Sequence, residues 1–173
     1  WAVQLQEFAQ GRDDRPVVTE RAEAQSYGRQ ETLDEETSDA EFVRHKLRAM
    51  ADELMEKVRA EGKTVRCVEV LLRHGDMEQS RRSESLDEPT DLETDFYGLI
   101  DRLVKRAWER RSALRLVGLK FSGVHPGAPR QMSLDLPGMR GKEARRKLAR
   151  VMDEARARYG EDAVVRGHRL SGR

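Results

Sequence analysis

Two short stretches constrain the fold of this chain more than any others: Ser38-Asp39-Ala40-Glu41 and Thr90-Asp91-Leu92-Glu93. In each, a Ser or Thr is followed three residues later by Glu. This is the capping-box pattern, which satisfies orphan backbone N–H groups in the first turn of a helix. Behind the first box, Val43, Leu47, Met50, Leu54 and Val58 recur at steps of three and four, giving a helix one apolar face until Gly62 stops it. Behind the second, Leu92, Phe96, Leu99, Leu103 and Ala107 do the same. Alternating segments flank both helices. Gln25 to Leu33 reads as a strand. In Thr64 to Arg73, Val68, Val70 and Leu72 alternate with Cys67, Glu69, Leu71 and Arg73, so one face is buried and Arg73 points outward. His74-Gly75-Asp76 turns the chain into a third strand, Met77 to Leu86, and Leu114 to Val124 is a fourth. The order strand, helix, strand, strand, helix, strand predicts an α+β domain of βαββαβ, split-βαβ (ferredoxin-like) type. Its four-stranded mixed sheet should carry both helices on one face, with Glu41 and Glu93 serving as caps.

The flanks organise differently. Ala2 to Gln10 reads as the end of a helix with Gly11 as its stop. The polar run from Arg12 to about Ala24, with Pro16, reads as a tether. The expected organisation is therefore a helix end at 1–11, a tether at 12–24, the folded domain at 25–124, a loop at 125–140, and a C-terminal helix and tail at 141–173. That last helix should run from about Lys142 to Tyr159, with Ala144, Leu148, Val151, Ala155 and Tyr159 as its apolar stripe, and Ala163-Val164-Val165 should be extended. With Trp rather than Met as its first residue, the chain is expected to be a piece of something longer.

Within the loop, Gln131-Met132-Ser133-Leu134-Asp135-Leu136 is bracketed by Pro126, Gly127 and Pro129 before it and by Pro137-Gly138 after it. A segment so bracketed does not continue a helix or a central strand. Two readings stay open for an extended peptide that shows two Leu to water. Leu134 and Leu136 enter a partner's groove while Gln131 and Ser133 set the register, or they fold back as a lid on the domain's own core.

Composition narrows the chemistry. Charged residues make up 38% of the 173, yet the formal net charge is only +1, so any nucleic-acid site is a local patch rather than a uniformly basic coat. One cysteine, Cys67, excludes a disulfide framework and fits a reducing, cytoplasmic setting. His45, His74, His125 and His168 lack the spacing of metal ligands. No apolar run reaches membrane-spanning length, and no signal peptide or membrane partner is expected. There is no Gly-rich phosphate loop and no nucleophile beside a base, so no catalytic residue is assigned. More informative are the cations on strands: Arg29, Arg73, Arg81, Arg82 and Lys120. Strand side chains alternate in direction, so only a cooperating register puts them on one face. Such a face either holds a phosphate backbone or is an ordinary solvated surface.

Taken together, these stretches resemble the little-finger domain of Y-family translesion DNA polymerases, the bacterial DNA polymerase IV type above all. Gln25 to Leu33 resembles its opening strand. Arg81-Arg82-Ser83-Glu84-Ser85-Leu86 with Glu88-Pro89-Thr90 resembles its third strand and the approach to its second helix. Leu114 to Val124 resembles its last strand, and Ala9 to Val17 resembles the exit from the thumb into the tether. The resemblance implies a sheet docked beside the primer–template junction, held mainly to phosphates. By residue it nominates Ser26, Gly28, Arg29, Arg81, Arg82 and Ser83, to which the strand pattern adds Arg73 and Lys120. It also implies that Gln131, Ser133, Leu134 and Leu136 bind the bacterial sliding clamp. Magnesium is expected in the parent's palm domain, with no cofactor in this piece. The chain departs from the family at four places. Gln25 stands for a usual Lys, Tyr27 for Ile, Met77 for Phe, and Asp135 where Phe often fills the clamp pocket. Two other readings accompany this one. A catalytically degenerate, polymerase-like adaptor in damage tolerance would carry the same domain. A stand-alone RNA-binding module would stack bases on Tyr27 and Phe121, the only strand aromatics.

Overall fold

A computed structural model of the chain describes residues 1–17, 19, 23–110, 112–127 and 136–170, with the backbone alone for 136–140 and 169–170. The elements are α1 (Ala2–Ala9), β1 (Ser26–Thr37), α2 (Ala40–Ala60), β2 (Lys63–His74), β3 (Gln79–Thr90), α3 (Thr94–Ala107), β4 (Leu114–Pro126), α4 (Leu136–Tyr159) and α5 (Gly167–Leu170). The four strands form one sheet in the order β1-β4-β2-β3. Every neighbouring pair is antiparallel, not mixed as expected. The reason is topological: β4 inserts between β1 and β2, so the two strands joined by the α2 crossover never touch.

Helices α2 and α3 cover one face. Val43, Leu47, Met50, Leu54 and Val58 of α2 and Phe96, Ile100 and Leu103 of α3 form one buried cluster with Val68, Val70, Leu72, Val117, Leu119 and Phe121 of the sheet. Phe96 and Phe121 meet with ring centroids 4.8 Å apart. Each such side chain withdrawn from water stabilises the fold by roughly 1.5–3 kcal/mol before entropy is counted. Tyr27 completes the cluster from β1, and its hydroxyl donates to Glu61 Oε2 at 2.6 Å. Burial, reinforced by that carboxylate, pushes the phenol up to about 12.

The helix starts differ from the capping boxes by small but instructive amounts. Asp39, not Ser38, caps α2, with its carboxylate accepting from the N–H groups of Glu41 and Phe42. At the second box Thr90 Oγ1 accepts from Leu92 N–H at 3.2 Å, but α3 begins only at Thr94. Glu93 caps nothing: it is buried in an ion cluster described below. Met77 is not in β3. It sits in the turn at φ 69°, and the strand starts at Gln79 and runs on through Pro89, which an edge strand tolerates. Gly11 follows α1 with φ 73°, the left-handed conformation that ends a helix.

The C-terminal part departs most. α4 begins at Leu136 rather than near Lys142. Pro137 is compatible with that start because the first turn of a helix leaves its N–H groups unpaired anyway. Leu136 therefore belongs to a helix, while Gln131, Ser133 and Leu134 lie outside the described residues. Much of the apolar stripe faces water: Leu148 is 54%, Val151 53% and Tyr159 70% exposed. The buried positions are Ala149, Met152 and Arg156. α4 docks through charge instead. Arg59 of α2 donates to both Asp153 oxygens (2.6 and 2.9 Å), to Glu93 Oε2 (2.6 Å) and to the Asp91 carbonyl (2.9 Å). Burial alone would lower the Arg59 guanidinium, but the Asp153 and Glu93 carboxylates overcome this and hold it above its ordinary value. Arg146 reaches Asp91 at 2.9 Å, and Arg156 donates to the Val164 carbonyl at 3.0 Å. Residues 163–165 form no strand. They lead into α5, where Arg166 pairs with Glu93, and His168 Nε2 lies 3.0 Å from Asp52 Oδ2.

Candidate nucleic-acid interface

Among the described residues, no helix covers the second face of the sheet. The register aligns its residues in four cross-strand rows, and these rows define the site. From β1 through β4 and β2 to β3 they are Ser26, Ser122, Cys67, Ser85; then Gly28, Lys120, Glu69, Ser83; then Gln30, Gly118, Leu71, Arg81; then Thr32, Leu116, Arg73, Gln79. Rows lie roughly 7 Å apart along the strands, and neighbouring strands roughly 4.8 Å apart. The first two rows are built from Ser, Gly and Cys beside Lys120 and Glu69, so the backbone itself is accessible there. At Gly28 an added Cβ would meet only ordinary contacts at 3.6 Å, so the fold does not demand glycine at this position. At Gly118 the same atom would lie 2.9 Å from Gln30 Cγ, so a side chain there would push Gln30 aside.

Of the nominated residues, the register brings Ser26, Gly28, Arg73, Arg81, Ser83 and Lys120 together on this open face. It sends Arg29 and Arg82 to the other side. Arg29, between buried Tyr27 and half-buried Glu31, is ion-paired with Glu53 of α2 and lies 3.5 Å from Glu31. Arg82 shares its side of β3 with Glu84 and Leu86, and its Nη2 lies 3.3 Å from Glu109. Side-chain alternation compels this split, since residues 28 and 29, like 81 and 82, cannot both point the same way. The sequence reading missed Gln30, Glu69, Ser85 and Ser122, whose membership follows from register alone. Cys67 is a half-buried free thiol on the open face, as expected.

Three cations, Arg73, Arg81 and Lys120, face one carboxylate, Glu69. This gives a local positive excess on a chain that is nearly neutral overall. Arg81 also donates to Gln79 Oε1 at 3.4 Å. Among the described residues the face carries no aromatic side chain: Tyr27 is 8% and Phe121 0% exposed, both in the core cluster. A base-stacking surface of the RNA-binding type is therefore not built here. What the arrangement offers is cationic N–H donors, hydroxyls and exposed backbone, the groups that hold a phosphate backbone. Among the described residues, no three His, Cys, Asp or Glu side chains cluster as a metal site, and no helix is long and apolar enough to cross a membrane.

Fold and face together define an α+β module that packs two helices on one side of an antiparallel sheet and leaves a polar, cationic side open. Residues 24–134 match the model of the impB/mucB/samB family C-terminal domain. The chain belongs to that family: it is a little-finger domain of the Y-family DNA polymerase IV type. Similar proteins include a DNA polymerase IV of Opitutus terrae, 39% identical over 98% of this chain, and one of Moorella thermoacetica, 32% identical over 97%. The chain spans 42% and 41% of their respective lengths. Among solved structures, a Y-family DNA polymerase chimera (Dbh-Dpo4(243-245)-Dbh) shares the fold at a TM-score of 0.54 and 21% identity, over 72% of this chain and 35% of its own. An insertion ternary complex of Dbh DNA polymerase does so at 0.53 and 20%, with the same coverage.

Proposed function

We propose that this domain holds primer–template duplex DNA along its open sheet face, without reading base sequence, for a parent enzyme that copies damaged templates. The observation that supports this reading is the register itself, which gathers Arg73, Arg81 and Lys120 beside small hydroxyl residues and leaves no aromatic to stack a base. A second attachment is the peptide around Gln131, Ser133, Leu134 and Leu136, proposed to bind the bacterial sliding clamp. Two weak tethers on one protein raise the effective concentration of each contact, so modest DNA affinity suffices. The chemistry of nucleotide addition belongs to the parent's palm, where carboxylates would hold magnesium. This domain contributes position, not catalysis. The likeness to chains named DNA polymerase IV favours an active polymerase over an adaptor as the parent.

Titration of a labelled mixed-sequence duplex at several salt concentrations tests the DNA part. Arg81→Ala and Lys120→Ala should each weaken all sequences alike and reduce the salt slope by about 1, as the loss of one phosphate contact does. Strong base-sequence preference, or unchanged slopes, refutes it. For the peptide, calorimetry with the clamp should show that Leu134→Ala/Leu136→Ala costs on the order of 2 kcal/mol or more of binding, as truncated anchors do. Equal affinities for wild type and double variant would remove the peptide's role.

A further inference from the structure

The open face ends at β3, an edge strand, but the positive charge does not end there. On the other side of β3, against the last turns of α3, Arg102 Nη2 donates to Glu84 Oε1 at 2.9 Å and Arg106 Nη1 to Glu84 Oε2 at 3.2 Å. Two guanidinium groups thus share one carboxylate, and each remains 59% exposed. Arg82 Nη1 donates to the Arg81 carbonyl at 2.9 Å, and its Nη2 meets Glu109, itself 75% exposed. Lys105, exposed on the same helix, has no ion pair among the described residues. Arg82, Arg102 and Arg106 are therefore paired with just Glu84 and Glu109 in this stretch, and Lys105 adds a further exposed cation. At the turn before β3 the balance is different, because Arg110 there is matched by Asp76 and Glu78. The helix dipole favours cations in the last turn of α3, which accounts for Lys105 and Arg106. It does not account for Arg102, a turn further in, doubling up on Glu84.

We propose that this β3–α3 edge is a second row of phosphate contacts, in which Arg102 and Arg106 take a DNA backbone that leaves the open face around the edge of β3. This rests on the reading of the open face as a DNA surface. Among the described residues no strand pairs with the outer side of β3, which leaves a path for a backbone. Arg81 and Arg82, alternating to the two sides of the strand, flank that path. Glu84 acts as a positioning residue. It holds one N–H of each guanidinium and leaves the remaining donors of each fork free for a phosphate, which Arg binds bidentately.

The test is salt-dependent titration of a fluorescein-labelled mixed-sequence duplex with the whole chain and four variants, each first checked by urea unfolding. Arg102→Gln/Arg106→Gln should lower the salt slope by about 1–2 and weaken binding roughly tenfold or more at low salt. Glu84→Gln should tighten binding several-fold, whereas a purely structural ion pair would leave DNA affinity unchanged. Lys147→Gln/Arg150→Gln on α4 removes the same number of charges and should move the slope little. The edge is overturned if Arg102→Gln/Arg106→Gln leaves the slope unchanged, or shifts it no more than the α4 control does. If Arg81→Ala/Lys120→Ala loses slope while the edge variant does not, the open face stands and the edge falls. No salt-dependent binding by the wild-type chain overturns both.

Discussion

Replacing Arg59 by Met should destabilise the domain far more than any surface ion pair would suggest. The Arg59 side chain is 9% exposed and bridges Glu93, 2% exposed, to Asp153, 21% exposed. Met keeps most of the aliphatic stem, so the substitution isolates the guanidinium. Removing one member of a buried pair typically costs about 3–5 kcal/mol, because the partner charge stays behind unpaired. Here the lower end applies, about 3 kcal/mol. Glu93 still has Arg166, and Asp153 is partly wet. For a chain of this size that corresponds to a fall in Tm of roughly 6–12 °C. Arg110→Met is the natural comparison: its pairs with Asp76 and Glu78 are on the surface, with Arg110 60% exposed, and should be worth under about 1 kcal/mol. Urea unfolding followed by circular dichroism measures both, with the midpoint moving and the slope m constant. The double variant Arg59→Met/Glu93→Gln should recover part of the loss, since it removes the stranded charge along with its partner. If Arg59→Met costs no more than Arg110→Met, Glu93 and Asp153 are effectively solvated. The ionic docking of α4 onto α2 would then contribute nothing.

Two further outcomes follow from individual side chains. Tyr27 has its phenol raised above the ordinary value of about 10, so an unfolded chain ionises before the folded one as pH climbs. The associated stability is intact below about pH 10 and is lost as pH rises toward about 12. Tyr27→Phe should flatten that part of an alkaline unfolding curve, and an identical curve contradicts the assignment. Gly28→Leu should leave the urea midpoint within about 1 kcal/mol of wild type, since a Cβ fits there. Its duplex affinity should nonetheless fall clearly if a DNA backbone approaches this row, and full retention of affinity would place the contact elsewhere.

The elements of the domain were legible because local signals agreed with one another. Helical periodicity, a nearby cap and alternating strands all pointed to βαββαβ, and α2, α3 and the four strands formed where those signals lay. The errors occur where a local pattern served a distant partner. Thr90-Asp91-Leu92-Glu93 has the spacing of a capping box, but Glu93 is taken by Arg59 and Arg166, which lie on other elements. Residues so far apart in sequence leave no periodic trace. The same cause rotates α4. Its apolar stripe at 144, 148, 151, 155 and 159 is a sound amphipathic pattern, but Asp153 and Arg156 find half-buried ionic partners on α2 and pull the opposite side inward.

For the site, residue types could be read from the sequence but their faces could not. The resemblance nominates Arg29 and Arg82 beside Gly28 and Arg81, treating each neighbouring pair as one contact. A pleated strand forbids this, because consecutive side chains leave on opposite sides. On β1, itself an edge strand, the alternation turns Arg29 toward α2, where Glu53 and Glu31 hold it. The contact that remains available at that point on the open face is Gly28 and the backbone around it. On β3 the consequence differs, because the carboxylate that meets Arg82 is the largely exposed Glu109 rather than a residue of the covering helix α2. There the second cation of the pair is not lost behind the sheet. Arg82 emerges beside Arg102 and Arg106, and the same alternation that thins the open face enriches the rim. A net charge of +1 thus conceals a surface whose cations are sorted by the pleat: Arg73, Arg81 and Lys120 on the open face, and a second group around the β3 edge, which has an Arg on each side.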